Sequence, residues 1–148
     1  MLFAMLAVLV FMLDRITKGL VVANVPLNTE FAAIDHAVWI AHVQNEGAAF
    51  GLAPVAPSVF LAVSVAVAIG LVYYVATRDV APIAGAMLGL VLGGTLGNAY
   101  DRLLHGGSVT DFIALHFWPV FNVADSAISV GVAAILVTYL LRRSPRPG

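Results

Sequence analysis

The sequence predicts a mainly α-helical integral membrane protein with four transmembrane helices. Of its 148 residues, 61% are hydrophobic and only 10% are charged, and the mean hydropathy is +1.00. Soluble domains are about half apolar and about a quarter charged, so this composition indicates a protein embedded in a bilayer. The apolar residues also form four runs of about 20 residues, the helix length that crosses a bilayer. We expect one domain over residues 1–148, with spans at about 3–23, 58–76, 80–100 and 121–141.

Charge and cysteine content exclude several kinds of function. The net charge is −1, so the chain lacks the basic field that attracts nucleic acid. It has no cysteine, which excludes disulfides, thiolate metal sites and a cysteine nucleophile. Its four histidines lack metal-ligand spacing and form no HExxH pattern. We therefore expect no nucleic-acid partner, no metal and no cofactor.

The first apolar run, residues 1–13, is followed directly by Asp14, Arg15 and Lys18. A signal peptide carries its positive charges before the apolar run, so a transmembrane helix is the better interpretation. Asp14 and Lys18 are four residues apart with the acid first, which is the favourable order for a pair on one helix face. The outer half of the first span is therefore expected to carry a structural polar pair.

Residues 24–57 are too polar and too rich in proline to cross the membrane. Within them, residues 37–43 (AVWIAHV) are rich in β-branched and aromatic side chains and predict a short strand, and residues 31–34 predict a second. The segment Asn45–Gly47 is typical of a turn. Its Gly47 suits either a hairpin turn or the close approach of a bound peptide. We expect a small extracytoplasmic β-sheet on the membrane surface.

The second and third spans are joined by a tight polar turn at residues 77–79. Small residues recur every four positions in the third span, at Gly85, Gly89, Gly93 and Gly97. Such spacing allows helix backbones to approach closely in lipid. After this span comes a second excursion, about residues 102–120. Its apolar part, residues 113–120 (IALHFWPV), suits a segment that lies at the membrane interface.

The distribution of lysine and arginine predicts the orientation. Residues 23–56 contain neither, whereas the 77–79 turn carries Arg78 and the tail carries three arginines. Positive charges accumulate on the cytoplasmic side, so both termini are expected there and both excursions outside. Arg102, at the outer end of the third span, departs from this rule and is expected to have a local partner.

Asp111 and Asp125 are the candidate catalytic residues. Asp125 lies four residues beyond Phe121, hence about 6 Å down the fourth helix, and Asp111 precedes the interfacial segment. Both are therefore placed near the outer membrane boundary, where ionisable groups are costly and mark functional sites. Two close carboxylates share one proton, which allows one to activate water and the other to protonate a carbonyl. The alternative is two independent polar residues at a hydrated helix end.

Polar residues near this pair have both structural and functional interpretations. Asn122 lies on the same helix face as Asp125, where it is able to hold the carboxylate, bind substrate or cap the helix. Ser126 has no histidine or lysine placed to activate it, so we interpret it as a helix-start serine. Asn98, Asp101 and Arg102 are spaced i, i+3 and i+4. We expect a structural network there, with Asn98 bridging helices and Arg102 paired with an acid, either Asp101 or, from the first span, Asp14.

Five motifs occur in the order found in one known family. They are DRITK at 14–18, NEGAAFG at 45–51, GNAYDR at 97–102, VTDFI at 109–113 and FNVADSAI at 121–128. Together they resemble the bacterial lipoprotein signal peptidases, also called type II signal peptidases. The resemblance covers nearly the whole chain. Thr110 stands where the family often has valine.

The resemblance implies an aspartic endopeptidase of the bacterial cytoplasmic membrane, with its active site at the extracytoplasmic face. Such enzymes remove signal peptides from prolipoproteins just before a diacylglyceryl-modified cysteine, and they are targets of the cyclic peptide antibiotic globomycin. The implied catalytic dyad is Asp111 and Asp125. The family also has a small β-cradle and a short helix over the site, which matches residues 113–119. The implied substrate-binding or supporting residues are Asn45, Gly47, Asn98, Arg102 and Asn122, and the implied polar positions are Asp14, Lys18 and Asp101.

Two other functions fit the composition less well. A proton-coupled carrier, with Asp14, Asp101 and Asp125 as a relay, predicts carboxylates spread across the bilayer depth. Here they gather at the outer ends of helices, and the pattern contains no helix broken at mid-membrane. A purely structural assembly factor leaves Asp125 unexplained.

Overall fold

The computed structural model describes residues 1–35, 37–47 and 56–143. Two prolines fix helix starts: α2 and α3 each begin with proline, whose missing N–H has no helical partner in the first turn. Within the described residues the chain forms four helices and three strands. In chain order these are α1 Leu2–Asn24, β1 Glu30–Ile34, β2 Val38–Asn45, α2 Pro57–Thr77, α3 Pro82–Leu104, β3 Val109–Ala114 and α4 Val123–Arg143.

Three of the helices are long and apolar enough to cross a membrane. These segments are Ser58–Thr77, Pro82–Leu104 and Val123–Leu141. The prediction of a mainly helical protein with membrane-capable helices is thereby confirmed. α1 has the same length as α3, 23 residues, but it carries three charged side chains in its second half. The count of four spans and the side on which the termini lie stay predictions.

α3 is the central helix of the bundle, since it packs against α1, α4 and α2. Glycines allow the closest of these approaches. A Cβ at Gly89 or Gly93 would lie 2.5 Å from a backbone carbonyl oxygen of α1, that of Phe3 or Ala7. Both belong to the predicted small-residue ridge. On another face of α3, Gly94 allows α4 to approach in the same way.

The small sheet has the strand order β1-β2-β3, and both pairs of neighbours are antiparallel. The strands predicted at 31–34 and 37–43 are confirmed as β1 and β2. Backbone pairing brings Val43 opposite Asp111 and Asn45 opposite Val109. An apolar cluster of Val21, Val25 and Phe112 attaches the sheet to the end of α1. The sheet therefore lies at the end of the bundle where Asp111 is placed.

The short interfacial helix predicted at 113–119 is wrong. Residues 113 and 114 end strand β3, and residues 115–120 form a bend. Strand pairing takes the place of the predicted helix here, because Ile113 and Phe121 exchange two backbone hydrogen bonds, of 2.7 and 3.1 Å. His116 has a positive φ of 60°, and Pro119 follows it. Neither feature is compatible with a continuing helix.

Candidate active site

Asp111 lies in the middle of β3 with its carboxylate turned into the protein, and only 2% of its surface is exposed. Both carboxylate oxygens accept hydrogen bonds from side-chain amides. Asn122 Nδ2 donates to Oδ1 at 2.7 Å, and Asn45 Nδ2 donates to Oδ2 at 2.9 Å. The carboxylate is thus held from α4 on one side and from the end of β2 on the other.

Asp125 lies in the first turn of α4 and is partly buried. Its Oδ1 accepts a 2.7 Å hydrogen bond from Asn98 Nδ2, and its Oδ2 accepts a 3.3 Å bond from the backbone N–H of Asn122. In return, the backbone N–H of Asp125 donates to Asn122 Oδ1 at 2.9 Å. This reciprocal pattern is a capping box that starts the helix. Asn122 therefore caps the helix and also donates a hydrogen bond to Asp111.

The two aspartates face one open pocket of about 580 Å³. Its lining combines polar groups from the end of β2 with apolar groups of the 115–120 bend. The full lining consists of Val43, Gln44, Asn45, Glu46, Asp111, Trp118, Pro119, Val120, Phe121 and Asp125. Across residues 1–35, 37–47 and 56–143, no three His, Cys, Asp or Glu side chains are grouped to hold a metal ion.

The environment of Asp111 favours its protonated form. Burial is the main cause that raises the pKa of this carboxyl from 3.8 to about 6. The negative charge of Asp125 acts in the same direction, and the hydrogen bonds from Asn45 and Asn122 act against both. A carboxyl with a pKa in this range holds a proton over part of the neutral range, which is suited to proton transfer.

A buried ionic cluster lies behind the two aspartates. Lys18 Nζ lies 2.9 Å from Asp14 Oδ2 and 2.9 Å from Asp101 Oδ2, and Arg15 Nη1 lies 2.6 Å from Asp101 Oδ1. Asp14 and Asp101 are fully buried, and Lys18 is 1% exposed. The expectation that Arg102 pairs with Asp101 or Asp14 is wrong, because the cations on those acids are Lys18 and Arg15. Arg15 was assigned no role from the sequence.

Each acid of this cluster also holds the backbone beside a candidate catalytic residue. Asp14 Oδ1 accepts a 3.1 Å hydrogen bond from the N–H of Ala124, the residue before Asp125. Asp101 Oδ2 accepts a 3.0 Å bond from the N–H of Thr110, the residue before Asp111. Because Lys18 bridges the two acids, one ionic cluster fixes the backbone at both positions.

Asn98 bridges helices as expected. Its Oδ1 accepts hydrogen bonds from Lys18 Nζ at 3.0 Å and from Asn122 Nδ2 at 3.2 Å, while its Nδ2 donates to Asp125. The buried ionic cluster is thereby connected directly to the dyad. Ser126 donates its hydroxyl to the carbonyl of Asn122 at 2.9 Å, which fits a helix-start serine.

Gly47 and Arg102 meet at a residue that the sequence did not single out, Phe60 of α2. The guanidinium carbon of Arg102 lies 5.4 Å from the centre of the Phe60 ring. Gly47 has a φ of 91° and donates its N–H to Asn45 Oδ1 at 2.9 Å. Residues 48–51 of the NEGAAFG motif lie outside the described part of the chain. Phe60 is one apolar residue within an apolar run, so no local sequence signal marks it.

The fold and the site define a class. A bundle of apolar helices that ends in a pocket with two buried or partly buried carboxylates is the arrangement of a membrane-embedded acid–base hydrolase. The comparisons with known proteins are specific. The sequence profile of the family described as Signal peptidase (SPase) II matches residues 6–141. The chain belongs to this family of aspartic proteases, which removes signal peptides from prolipoproteins.

Individual relatives and solved structures support the same family assignment. The chain is 41% identical to the lipoprotein signal peptidase of Syntrophomonas wolfei over 133 residues, which covers 90% of this chain and 89% of the relative. It is 38% identical to that of Bacillus subtilis over 146 residues, covering 95% and 94%. A bacterial membrane enzyme solved by the in meso method at 2.3 Å superposes with a TM-score of 0.86 at 28% identity, covering 99% of this chain and 93% of the other. A second bacterial membrane enzyme solved by the same method, at 1.9 Å, superposes with a TM-score of 0.85 at 30% identity, covering 96% of this chain and 94% of the other.

Proposed function

We propose that this protein cleaves prolipoproteins at the peptide bond that precedes a diacylglyceryl-modified cysteine, with Asp111 and Asp125 as the catalytic dyad. The observation that carries the proposal is the shared support of the two carboxylates. Asn122 binds Asp111 through its side chain and Asp125 through its backbone, and both acids line one pocket. Two independent polar residues at a hydrated helix end do not require such a common support.

The dyad shares one proton, and Asp111 carries it, because burial raises the pKa of that carboxyl. Ionised Asp125 takes a proton from a water molecule, and the water oxygen attacks the carbon of the scissile carbonyl. Asp111 gives its proton to the carbonyl oxygen, which forms a neutral tetrahedral diol. Collapse of the diol breaks the C–N bond. The proton now on Asp125 goes to the leaving amine, and a diol hydroxyl returns a proton to Asp111, so the dyad regains its starting state.

The residues around the pocket support peptide binding. Asn45 lines the pocket and is held by a hydrogen bond from the backbone N–H of Gly47, and Arg102 supplies a positive charge that interacts with the charges of Asp125 and Asp111. The apolar residues of the pocket lining, which include Trp118, suit the side chains of a signal peptide. Acyl chains on the substrate cysteine would lie in the bilayer, where each buried CH₂ contributes about 0.8 kcal/mol. Membrane lipid thereby sets the depth of the scissile bond.

All four helices are proposed to cross the bacterial cytoplasmic membrane, with both termini in the cytoplasm and the site at the extracytoplasmic face. The charged side chains of α1 are compatible with a transmembrane position of this helix. Asp14 and Lys18 are almost completely buried against α3, and 82% of the Arg15 side chain is covered (18% exposed), so these charges are largely shielded from lipid. The cyclic peptide globomycin is the proposed inhibitor, bound in the same pocket.

The test is cleavage of one purified precursor, with and without the diacylglyceryl group, by the enzyme in liposomes. The parent protein should cleave the lipidated form and be inhibited by globomycin. Asp111→Asn and Asp125→Asn should each abolish cleavage with normal membrane insertion, whereas Asp79→Asn, in the exposed turn after α2, should not. Turnover by either dyad variant would remove that residue from the mechanism. Equal rates on both substrate forms would show that the lipid is not recognised.

A further inference from the structure

Phe60 contacts two residues of the proposed site that come from different parts of the chain. It lies near the start of α2, partly buried, with its ring next to the Arg102 guanidinium, 5.4 Å from centre to Cζ. The same ring also packs against Gly47. A Cβ placed on Gly47 would lie 2.9 Å from Phe60 Cδ2 and closer still to Cε2. Real Cβ atoms do not approach other atoms so closely, so the ring occupies the space that a side chain at 47 would need.

Both contacts lead to the dyad by short paths. From Gly47, the N–H bonds to Asn45 Oδ1 at 2.9 Å, and Asn45 Nδ2 bonds to Asp111 Oδ2 at 2.9 Å. From Arg102, the positive charge interacts through space with the negative charges of Asp125 and Asp111. One aromatic ring therefore supports both the cation of the site and the turn that holds one carboxylate.

We propose that Phe60 is a positioning residue of the peptidase reaction, which restrains the Arg102 guanidinium near the dyad and packs against the Asn45–Gly47 turn that holds Asp111. The inference rests on the proposed function of the dyad. Its physical basis is the negative face of the aromatic ring, which attracts a guanidinium and restricts an otherwise mobile side chain. Without the ring, Arg102 has a long, flexible side chain that is free to turn towards solvent.

The first experiment measures cleavage of the lipidated precursor by enzymes with altered rings at position 60. Fluorinated phenylalanines keep the shape of the ring and progressively remove its negative face. We expect kcat/KM to fall in steps from phenylalanine to the monofluoro, difluoro and trifluoro forms, by about threefold to thirtyfold in all, which is the size of a cation–π contact. The kcat/KM of the Phe60→Leu variant should fall by at least the same factor. Phe3→Leu, at the opposite end of the bundle, is the matched control and should not change the rate.

A double-mutant cycle separates positioning from general stability. If Phe60 acts partly through Arg102, Phe60→Leu should reduce kcat/KM by a larger factor in the parent than in an Arg102→Gln background, where only its effect on the Asn45–Gly47 turn remains. A loss of equal size in both backgrounds would overturn the inference. So would a flat response to fluorination together with a loss in Phe60→Leu, since that result indicates packing alone.

The contact itself has a readout that does not depend on cleavage. With 4-fluorophenylalanine in place of Phe60, the fluorine resonance should shift on Arg102→Gln and remain unchanged on Arg78→Gln, in the distant exposed turn. An unchanged resonance on Arg102→Gln overturns the inference even if the enzyme is active. If the fluorine resonance shifts but the parent protein cleaves no lipidated precursor, the contact exists and the proposed function fails, and the inference about catalysis fails with it.

Discussion

The side-chain amide of Asn122 donates a 2.7 Å hydrogen bond to Asp111, although the two residues lie on different elements, α4 and β3. The same asparagine forms the capping box with Asp125. One side chain thus caps the start of a helix and binds a carboxylate on a strand. Helix formation and assembly of the candidate site are therefore coupled at this residue.

Two substitutions at Asn122 should separate its two roles. Asn122→Ser keeps a side chain that caps the helix but is too short to reach Asp111, whereas Asn122→Ala removes both interactions. We expect Asn122→Ala to lose about 0.5–2 kcal/mol of stability and Asn122→Ser to lose much less. Both should lower kcat/KM about twofold to tenfold, because each loses the side-chain hydrogen bond that positions Asp111. Thermal unfolding in detergent and the cleavage assay measure the two effects; parent-like cleavage by Asn122→Ser would contradict the second role.

The sequence predicted the helices, two of the strands and the polar positions of the site, because long apolar runs and clustered motifs are strong local signals. It did not predict the features that depend on contacts between residues distant in the sequence. The short apolar run 109–114 fits helix or strand equally, and only pairing with β2 selects the strand. Asp101 and Arg102 are adjacent in sequence but point about 100° apart on a helix, so Asp101 meets α1 instead. The contact between Phe60 and Arg102 has no local signal at all.

The raised pKa of Asp111 predicts a pH dependence of stability. An ordinary aspartate has a pKa near 3.9 in the unfolded chain, and burial raises the value to about 6 in the folded protein. Between these values the folded state binds more protons than the unfolded state. The contribution of Asp111 to stability should therefore be fully present below about pH 4 and be lost as pH rises through 6, a change of about 3 kcal/mol. Lys18, which lowers the pKa, and Asp125, which raises it, both act on this carboxyl.

Asp111→Asn removes this titration, so the comparison isolates it. Relative to the parent, the Asp111→Asn variant should gain thermal stability at pH 8 compared with pH 4.5. The sign of the change matters more than either value alone, because asparagine also alters the hydrogen bonds to Asn45 and Asn122 by an amount that does not depend on pH. An identical difference in melting temperature at both pH values would show that the carboxyl is not perturbed.

Lys18 is expected to be the most sensitive member of the buried ionic cluster. Lys18→Met removes the cation that bridges Asp14 and Asp101 and leaves two buried carboxylates with less compensation. Breaking a buried pair in this way costs about 3–5 kcal/mol. Arg78→Met, at an exposed position, is the control and should change stability by less than about 0.5 kcal/mol. If thermal unfolding in detergent shows equal losses for the two variants, the cluster does not stabilise the bundle.

The proposed orientation is tested by reporter fusions at four points of the chain. Fusions after His36 and after Gly106 should report the outside, and fusions after Arg78 and Arg143 should report the cytoplasm. The fusion after Gly106 is decisive for the mechanism, because it lies five residues before Asp111. A cytoplasmic signal from it would place Asp111 on the wrong side of the membrane for lipoprotein processing.

Gly47→Ala is expected to reduce cleavage strongly. The φ of 91° is strained for alanine, and the new Cβ would overlap the Phe60 ring. Gly106 provides a matched control, since its φ is 63° and nothing lies within 4 Å of a Cβ built there. Both substitutions carry the backbone penalty of about 1–2 kcal/mol. Only Gly47→Ala should also displace Phe60 and the turn that carries Asn45.

The two variants should therefore lose similar thermal stability from the backbone, while only Gly47→Ala loses cleavage activity. Adding Phe60→Leu to Gly47→Ala should relieve the overlap and recover part of the lost stability. It should not recover full kcat/KM, because the ring that holds Arg102 is then missing. If Gly106→Ala lowers cleavage as much as Gly47→Ala does, backbone strain alone explains the effect and the contact with Phe60 is not what requires glycine at 47.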